Sequence, residues 1–320
     1  ASQLPPVNEK KSAAFTKCTK VYYLKQIVRQ EATNPIKILL DILREDIDNR
    51  TYRFLEYISR MRGAANYNEL NEGFIVCGKA KFKELIDKSF NDELYTKNID
   101  MYRIVAYTNN CVTSWNNYIR HSIIADSDKS IITKNDLIMS YETIVNEFME
   151  TVINNSEYVV KDIVDYVDAT YGFNGFLVKF QMVHGGSITR PLFIINHRDK
   201  LSIQKYYQVI TSLITDAKNA RGGDRGAKWR SYYDFKKKYI LATNIVGRDG
   251  RILFSRDIDY GFAITSHKSQ GSTYDTVFVD VNDMVYDRYG APYSNQDDLL
   301  RRLYVACSRA RKELILCYGE

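Results

Sequence analysis

Phe262-Ala263-Ile264-Thr265-Ser266-His267-Lys268-Ser269-Gln270-Gly271 is an apolar run that passes directly into short hydroxyls, an imidazole and an ammonium. Such a run reads as a buried strand, and a polar loop directly behind it sits where α/β proteins place binding loops. The small donors suit phosphate oxygens and sugar hydroxyls, and Gly271 lets a backbone approach closely. A plainer reading makes His267 an ordinary surface histidine and Lys268 a first-turn helix residue.

Working outward, Thr276–Asp280 reads as the next strand, Gln296–Ala310 as a helix and Glu313–Cys317 as a last strand. Upstream, Tyr102–Tyr107 is another near-continuous apolar run. A polar turn at Thr108-Asn109-Asn110 follows it, then a helix that turns Val112, Trp115 and Ile119 inward. Gly73–Cys77 predicts a buried strand and Lys79–Phe90 its helix. Asn34-Pro35 opens a helix with Ile36, Leu39, Leu40 and Leu43 on one face. Strands alternating with helices define an α/β layer fold. From Leu137 to Asp259 the texture changes. Tyr158–Val167 and Gly172–Val183 alternate apolar and polar residues, with Asn174-Gly175 as the expected turn of an antiparallel hairpin or small barrel. A helical stretch, Ser202–Ala220, follows them.

The run Leu300-Arg301-Arg302-Leu303-Tyr304-Val305-Ala306-Cys307-Ser308-Arg309-Ala310-Arg311 predicts a helix burying Leu303, Val305 and Ala306, with Arg302 and Arg309 sharing a face. An arginine at such a helix end reaches a phosphate and stays charged at physiological pH. Taken alone, it reads more readily as a solvated basic helix end favoured by the helix dipole.

The formal net charge of +6 shifts the expectation slightly toward a polyanionic partner. The five cysteines show no CxxC pair, which argues against a zinc site or disulfide framework and for a reducing compartment. Neither a membrane-span-length apolar stretch nor a signal peptide is visible, and no membrane partner is expected. The sequence begins at Ala1 without an initiator methionine, which suggests a piece of something longer.

Between Lys218 and Lys238, the cations Lys228, Arg230, Lys236, Lys237 and Lys238 interleave with Trp229, Tyr232, Tyr233 and Phe235. Such interleaving suits stacked bases and a phosphate backbone. It equally describes an amphipathic helix whose aromatics pack inward and whose lysines are solvated, and the shared apolar face favours that reading. The adjoining Arg221–Gly226 segment reads as a loop without a phosphate role.

Ala263–Asp275 resembles motif V of superfamily 1 helicases, and Leu300–Ala310 resembles their motif VI. Tyr107-Thr108-Asn109 with Val112 and Asn116 is similar to motif IV. Gln3-Leu4-Pro5-Pro6-Val7 resembles the end of motif III. Ile27-Val28-Arg29-Gln30 with Asn34-Pro35-Ile36 resembles the segment that follows it in the RecD and Dda branch. Five blocks in order over nearly the whole length make the resemblance specific, where any one alone would be weak. Ile153–Glu157, opening the alternating zone, is similar to the SH3-like accessory domain of that branch.

The resemblance implies an α/β, RecA-like (P-loop NTPase-type) parallel sheet with an inserted β-rich SH3-like accessory domain. It divides the chain into a remnant of the first lobe (1–98), a second lobe (99–135 plus 259–320) and an insertion with helices (136–258). It implies that Gln3 contacts the γ-phosphate or its attacking water, that Arg29 approaches the same phosphate, and that Arg309 is an arginine finger beside Gln270 and Gly271. Thr108, Asn109, Thr265, His267 and Lys268 would hold single-stranded DNA. The parent would be an ATP-dependent 5′→3′ DNA helicase acting at single/double-strand junctions, cytoplasmic and bacterial or phage-encoded. No Gly-x-x-x-x-Gly-Lys-Ser/Thr occurs. ATP and Mg²⁺ would therefore be bound with a phosphate loop and metal ligand outside these residues, on a missing N-terminal motor lobe, and no metal ligand is assigned here. The alternatives are a non-catalytic single-stranded nucleic-acid-binding module and a viral RNA helicase fragment.

Overall fold

The computed structural model describes residues 29–124, 127–145 and 151–319. Gln3 and the motif III block, together with Ile27 and Val28, lie outside the described residues. Along the chain run α1 (Ile36–Asn49), α2 (Arg53–Arg60), β1 (Ala65–Tyr67), β2 (Gly73–Cys77), α3 (Lys79–Phe90), α4 (Glu93–Lys97), β3 (Tyr102–Ala106) and α5 (Asn109–Ile123). Next come β4 (Leu137–Ser140), β5 (Ile144–Val145), β6 (Thr151–Val152), β7 (Glu157–Val167), β8 (Asn174–Met182), β9 (Leu192–Ile195), α6 (Lys200–Asn219) and α7 (Asp224–Lys238). The last elements are β10 (Tyr239–Ile240), β11 (Ile245–Val246), β12 (Ile252–Phe254), β13 (Ile258–Tyr260), β14 (Ala263–Thr265), β15 (Tyr274–Asp280), α8 (Val281–Val285), α9 (Gln296–Cys307) and β16 (Ala310–Cys317). They fall into two compact units, 1–119 with 262–320, and 120–261.

The first unit is built on one sheet in the order β1-β2-β16-β15-β3-β14. Every neighbouring pair is parallel except β1 with β2. Residues 104–106 and 276–280 are buried without interruption, as a parallel sheet covered on both faces requires. An aromatic cluster lies against it, drawn from distant parts of the chain. Phe82 on α3 meets Trp115 of α5 at 5.4 Å and Phe278 of β15 at 5.6 Å. Ile36, Leu39, Leu40 and Leu43 of α1 are wholly buried, as their spacing predicts. Asn34 Oδ1 accepts from Ile36 N at 2.9 Å, fixing the start of that helix.

The placement of β2 corrects the expected division at residue 98. Gly73–Cys77 pairs in register with Glu313–Cys317, so the segment expected in a first lobe lies in the same sheet as β3, β15 and β16. The reason is the long apolar β16, which sits inside the sheet and presents a second edge that only another buried strand can satisfy.

The second unit is wider than the expected 136–258. It holds a six-stranded sheet, β10-β9-β8-β7-β4-β13, antiparallel except for β10 with β9. One apolar cluster gathers Ile138, Val160, Val178, Phe180 and Ile194. Another joins Phe173, Phe193, Tyr206 and Phe235, where α6 and α7 lie against the sheet. Asn174-Gly175 is not the hairpin turn. Both residues pair within the ladder, opposite Val167 and Tyr166. A Cβ on Gly175 would stand 2.3 Å from Ile194 O, so that glycine admits β9 at close range. The turn is made instead by Asp168–Phe173, where the Asp168 carboxylate accepts from Thr170 N and Tyr171 N.

Candidate functional site: a paired-arginine cluster and a strand-end ledge

Two clusters occur in the first unit, at different ends of its strands. The first is basic. α9 stops at Cys307, and Ser308 and Arg309 turn the chain into β16. Arg309 therefore does not share a helical face with Arg302, as the sequence spacing predicted. Its Nε donates to Val305 O at 2.9 Å and its Nη2 to Ser308 Oγ at 2.8 Å, while Nη1 faces the carbonyls of Ser269 and Ser272 at 3.5 and 3.4 Å. Arg29 arrives from before α1. Its Nη1 donates to Ser308 O at 2.6 Å and its Nε to Thr273 Oγ1 at 2.8 Å. Gln30 Nε2 donates to Ala310 O beside it.

Arg309 is buried and Arg29 half-buried, and neither makes an ion pair with a carboxylate among the described residues. Burial, with the neighbouring Arg29 charge second, lowers Arg309 from 12.5 to about 10. Burial lowers Arg29 as well. Both remain cationic at neutral pH. Two like charges held by carbonyls and hydroxyls, with no carboxylate beside them among the described residues, are chemically suited to an anion. The donor set fits a polyphosphate. It offers nothing hard and anionic for Mg²⁺, which would be held elsewhere.

Gln270 and Gly271 lie in the loop that reaches this cluster. Gln270 Nε2 is buried without a hydrogen-bond partner among the described residues. Gly271 adopts φ +92°, and a Cβ there would meet no atom within 4 Å. The glycine thus serves the backbone conformation of the loop and not close packing within the chain.

The second cluster is at the C-terminal ends of β3 and β14. Thr265 stands opposite Ala106 in register, and Ser266 N donates to Ala106 O at 2.9 Å. Asn116 on α5 locks the edge strand, accepting from Ala263 N at 2.7 Å and donating to Ala263 O at 3.1 Å. That explains why an asparagine stands about two helical turns behind the Thr108-Asn109 turn. Thr265 is buried, with Oγ1 accepting from Lys268 N at 3.3 Å, while His267 and Asn109 are exposed. The structure thus places Thr108, Asn109, Thr265, His267 and Lys268 along one ledge. The loop from Ser266 to Thr273 joins this ledge to the arginine cluster.

Two residues there, Asp283 and Tyr293, were not singled out in the sequence, and Arg302 takes a place its helical spacing did not predict. Asp283 accepts from Tyr107 N at 2.7 Å, Thr108 N at 2.8 Å and Thr108 Oγ1 at 2.5 Å, so it clamps the turn. Burial raises its pKa, against those hydrogen bonds. Arg302, 1% exposed, lies 3.7 Å from the Tyr107 ring centroid and 4.5 Å from that of Tyr293, with Asp298 at 3.3 Å. A cation between two rings fixes Tyr107, the residue before the turn. Only the strand-end position of Asp283, three residues after Asp280, hinted at this role. A cleft of about 620 Å³ opens beside the ledge, bordered by Lys79, Thr108, Asn110, Asp283, Tyr289 and Tyr293.

Residues 260–317 match the UvrD-like helicase C-terminal domain family. That segment contains the whole loop from Thr265 to Thr273 and the α9–Arg309 turn. A curated relative, Uncharacterized protein R530 of Acanthamoeba polyphaga mimivirus, is 24% identical over 361 residues, taking in 98% of this chain and 66% of that protein. Among solved structures, the Pif1 helicase from Candida albicans aligns with 99% of this chain and 62% of its own, at 15% identity and a TM-score of 0.45. The Bacteroides Pif1 helicase in complex with ADP-AlF3 and ssDNA aligns with 100% of this chain and 62% of its own, at 13% identity and a TM-score of 0.43. The chain thus spans somewhat less than two thirds of the length of these relatives. The family match and the parallel α/β sheet support similarity to the C-terminal portion of a superfamily 1 helicase with a RecA-like fold. Among the described residues, no helix is long and apolar enough to cross a membrane.

Proposed function

We propose that this chain supplies the second motor lobe of an ATP-dependent helicase that moves along single-stranded DNA and parts duplex at junctions. The observation that carries this reading is the convergence of Arg29 and Arg309 on Ser308, with no carboxylate among the described residues to neutralise them. A guanidinium delivered across a cleft stabilises the spread charge of a transferring phosphoryl group, an effect of about 10³–10⁵ in rate. In this reading Arg309 is the finger, Arg29 a second phosphate sensor and Gln270-Gly271 the lining of the same cleft. Thr108, Asn109, Thr265, His267 and Lys268 hold the strand. The Ser266–Thr273 loop supports the coupling of the two, since one short segment reaches both clusters. The inserted unit serves as the accessory domain, and SH3-like character remains part of this proposal.

A motor of this class holds its nucleotide on a Gly-x-x-x-x-Gly-Lys-Ser/Thr loop, a pattern these 320 residues do not contain. The reading therefore assigns ATP and Mg²⁺ binding to a lobe outside these residues, with Gln3 contacting the γ-phosphate or its attacking water by resemblance. The test is Arg309→Ala in the full-length protein. Strand-stimulated ATP turnover should fall at least about a thousandfold while ATP still binds. Unchanged turnover refutes the assignment.

A further inference from the structure

We infer that the outer face of α7 in the second unit is a stacking surface for single-stranded nucleic acid. The inference shares a polymer class with the proposal above but rests on α7 alone. The aromatics of this helix divide in two. Phe235 is buried and Tyr232 packs against the cluster beneath the sheet. Trp229 and Tyr233 do not enter that cluster. Tyr233 is 56% exposed, and the two rings, one helical turn apart, lie 6.2 Å centroid to centroid and inclined by 35°. Packing of the helix therefore leaves Tyr233 exposed and Trp229 half-exposed beside it, with Trp229 also meeting Tyr232 edge-on at 5.6 Å.

The charges divide in the same way. Lys236 pairs with Asp257, and Lys238 stands 3.7 Å from Asp168. Arg225, Lys228, Arg230 and Lys237 are exposed and make no ion pair among the described residues. On the helix only Asp224 and Asp234 oppose them. Flat π-faces flanked by unpaired cations fit unpaired bases joined by phosphates, since every base has a face to stack and the backbone carries the counter-charge. Duplex DNA buries its base faces and would meet only the cations. An acidic protein would meet the cations and have no use for the paired rings.

The experiment uses the whole chain and an oligothymidylate. Tryptophan fluorescence should be quenched on binding. Trp229→Phe should abolish the quenching while changing affinity by less than about threefold, because phenylalanine still stacks; Trp115, 5% exposed, remains as the internal reference. Trp229→Ala with Tyr233→Ala should weaken binding about tenfold or more. Replacing Arg225, Lys228, Arg230 and Lys237 by glutamine should flatten the dependence of affinity on salt. Unquenched fluorescence, an undiminished double-alanine variant, an unaltered salt slope or equal quenching by duplex overturns the inference. If affinity falls only in Asn109→Ala with His267→Ala, the α7 surface is refuted and the motor reading stands. If it falls only in the α7 variants, the strand-end ledge is refuted and α7 stands.

Discussion

Arg29 and Arg309 share Ser308: the first donates to its carbonyl at 2.6 Å, the second to its hydroxyl at 2.8 Å. One serine thus holds two cations against their mutual repulsion, with Ser308 Oγ in turn donating to Val305 O at 2.9 Å. The arrangement is stable without a ligand only because each guanidinium has carbonyl or hydroxyl acceptors. Among the described residues it remains uncompensated in charge.

Added polyanion should relieve that imbalance. Arg309 is lowered to about 10 from 12.5, so the unfolded chain holds this proton more tightly. The charged group therefore costs stability at neutral pH, and the cost fades only as pH climbs through about 10. Inorganic triphosphate at about a hundred times its dissociation constant should raise the melting temperature by on the order of 5–10 °C. The same addition to Arg309→Gln should give little shift, measured by scanning calorimetry. An equal shift in both proteins would place the anion elsewhere.

Single-strand affinity should fall when the ledge loses its exposed donors. Asn109→Ala combined with His267→Ala should weaken binding about tenfold, roughly two hydrogen bonds to a charged backbone less their solvation. Titrations at several salt concentrations would check it, and parallel curves with unchanged affinity would count against the ledge.

Asp283 carries a pH signature. Its native carboxyl keeps a proton where the unfolded one has already lost it, because burial raises its pKa from 3.8. Its contribution is accordingly most favourable at low pH and is lost as pH rises from about 4. Urea midpoints of the wild type should decline relative to Asp283→Asn across the acid range. A constant difference would show that the carboxyl is not shifted.

Arg302→Lys should destabilise the protein by about 1 kcal/mol or more, since a lysine cannot lie flat between Tyr107 and Tyr293. It should also weaken single-strand binding by loosening the residue before Thr108. Chemical denaturation and oligonucleotide titration would separate the two effects. Retained stability with lysine would mean that the charge, and not the stacked plane, matters.

In the second unit, Arg120 and Asp136 form a buried pair at 2.9 Å, with Arg120 also over the Tyr260 ring. Removing one partner, as in Asp136→Ala, should cost about 3–5 kcal/mol. Arg120→Met with Asp136→Leu should recover most of that loss. A double variant as unstable as the single would show that the pair does more than neutralise itself.

Local features were legible where a single rule decided them. The bounds of β2 and α3 follow from an apolar run, a break at Gly78 and helical spacing, and they agree with the structure residue for residue. The strand before Ser266 and the strand–turn–helix at Tyr102–Ile123 were readable for the same reason. Pairing between distant strands was not. Nothing near Gly73 says that its partner is Glu313. The pairing of Arg302 and Arg309 failed similarly. Helical spacing placed them together, but α9 ends before Arg309 and tertiary neighbours draw Arg302 between two tyrosines. Asn174-Gly175 misled because glycine serves turns and close approaches alike. Gln3, the third expected catalytic residue, lies outside the described residues.

β16 follows every other strand in the sequence, yet it occupies an interior slot between β2 and β15. On the ribosome, that slot must stay open until Ala310–Cys317 have emerged, whereas residues 120–261 form a continuous stretch able to close beforehand. A nascent chain paused before residue 310 would present two raw strand borders side by side, an invitation to chaperones or to another copy's matching segment.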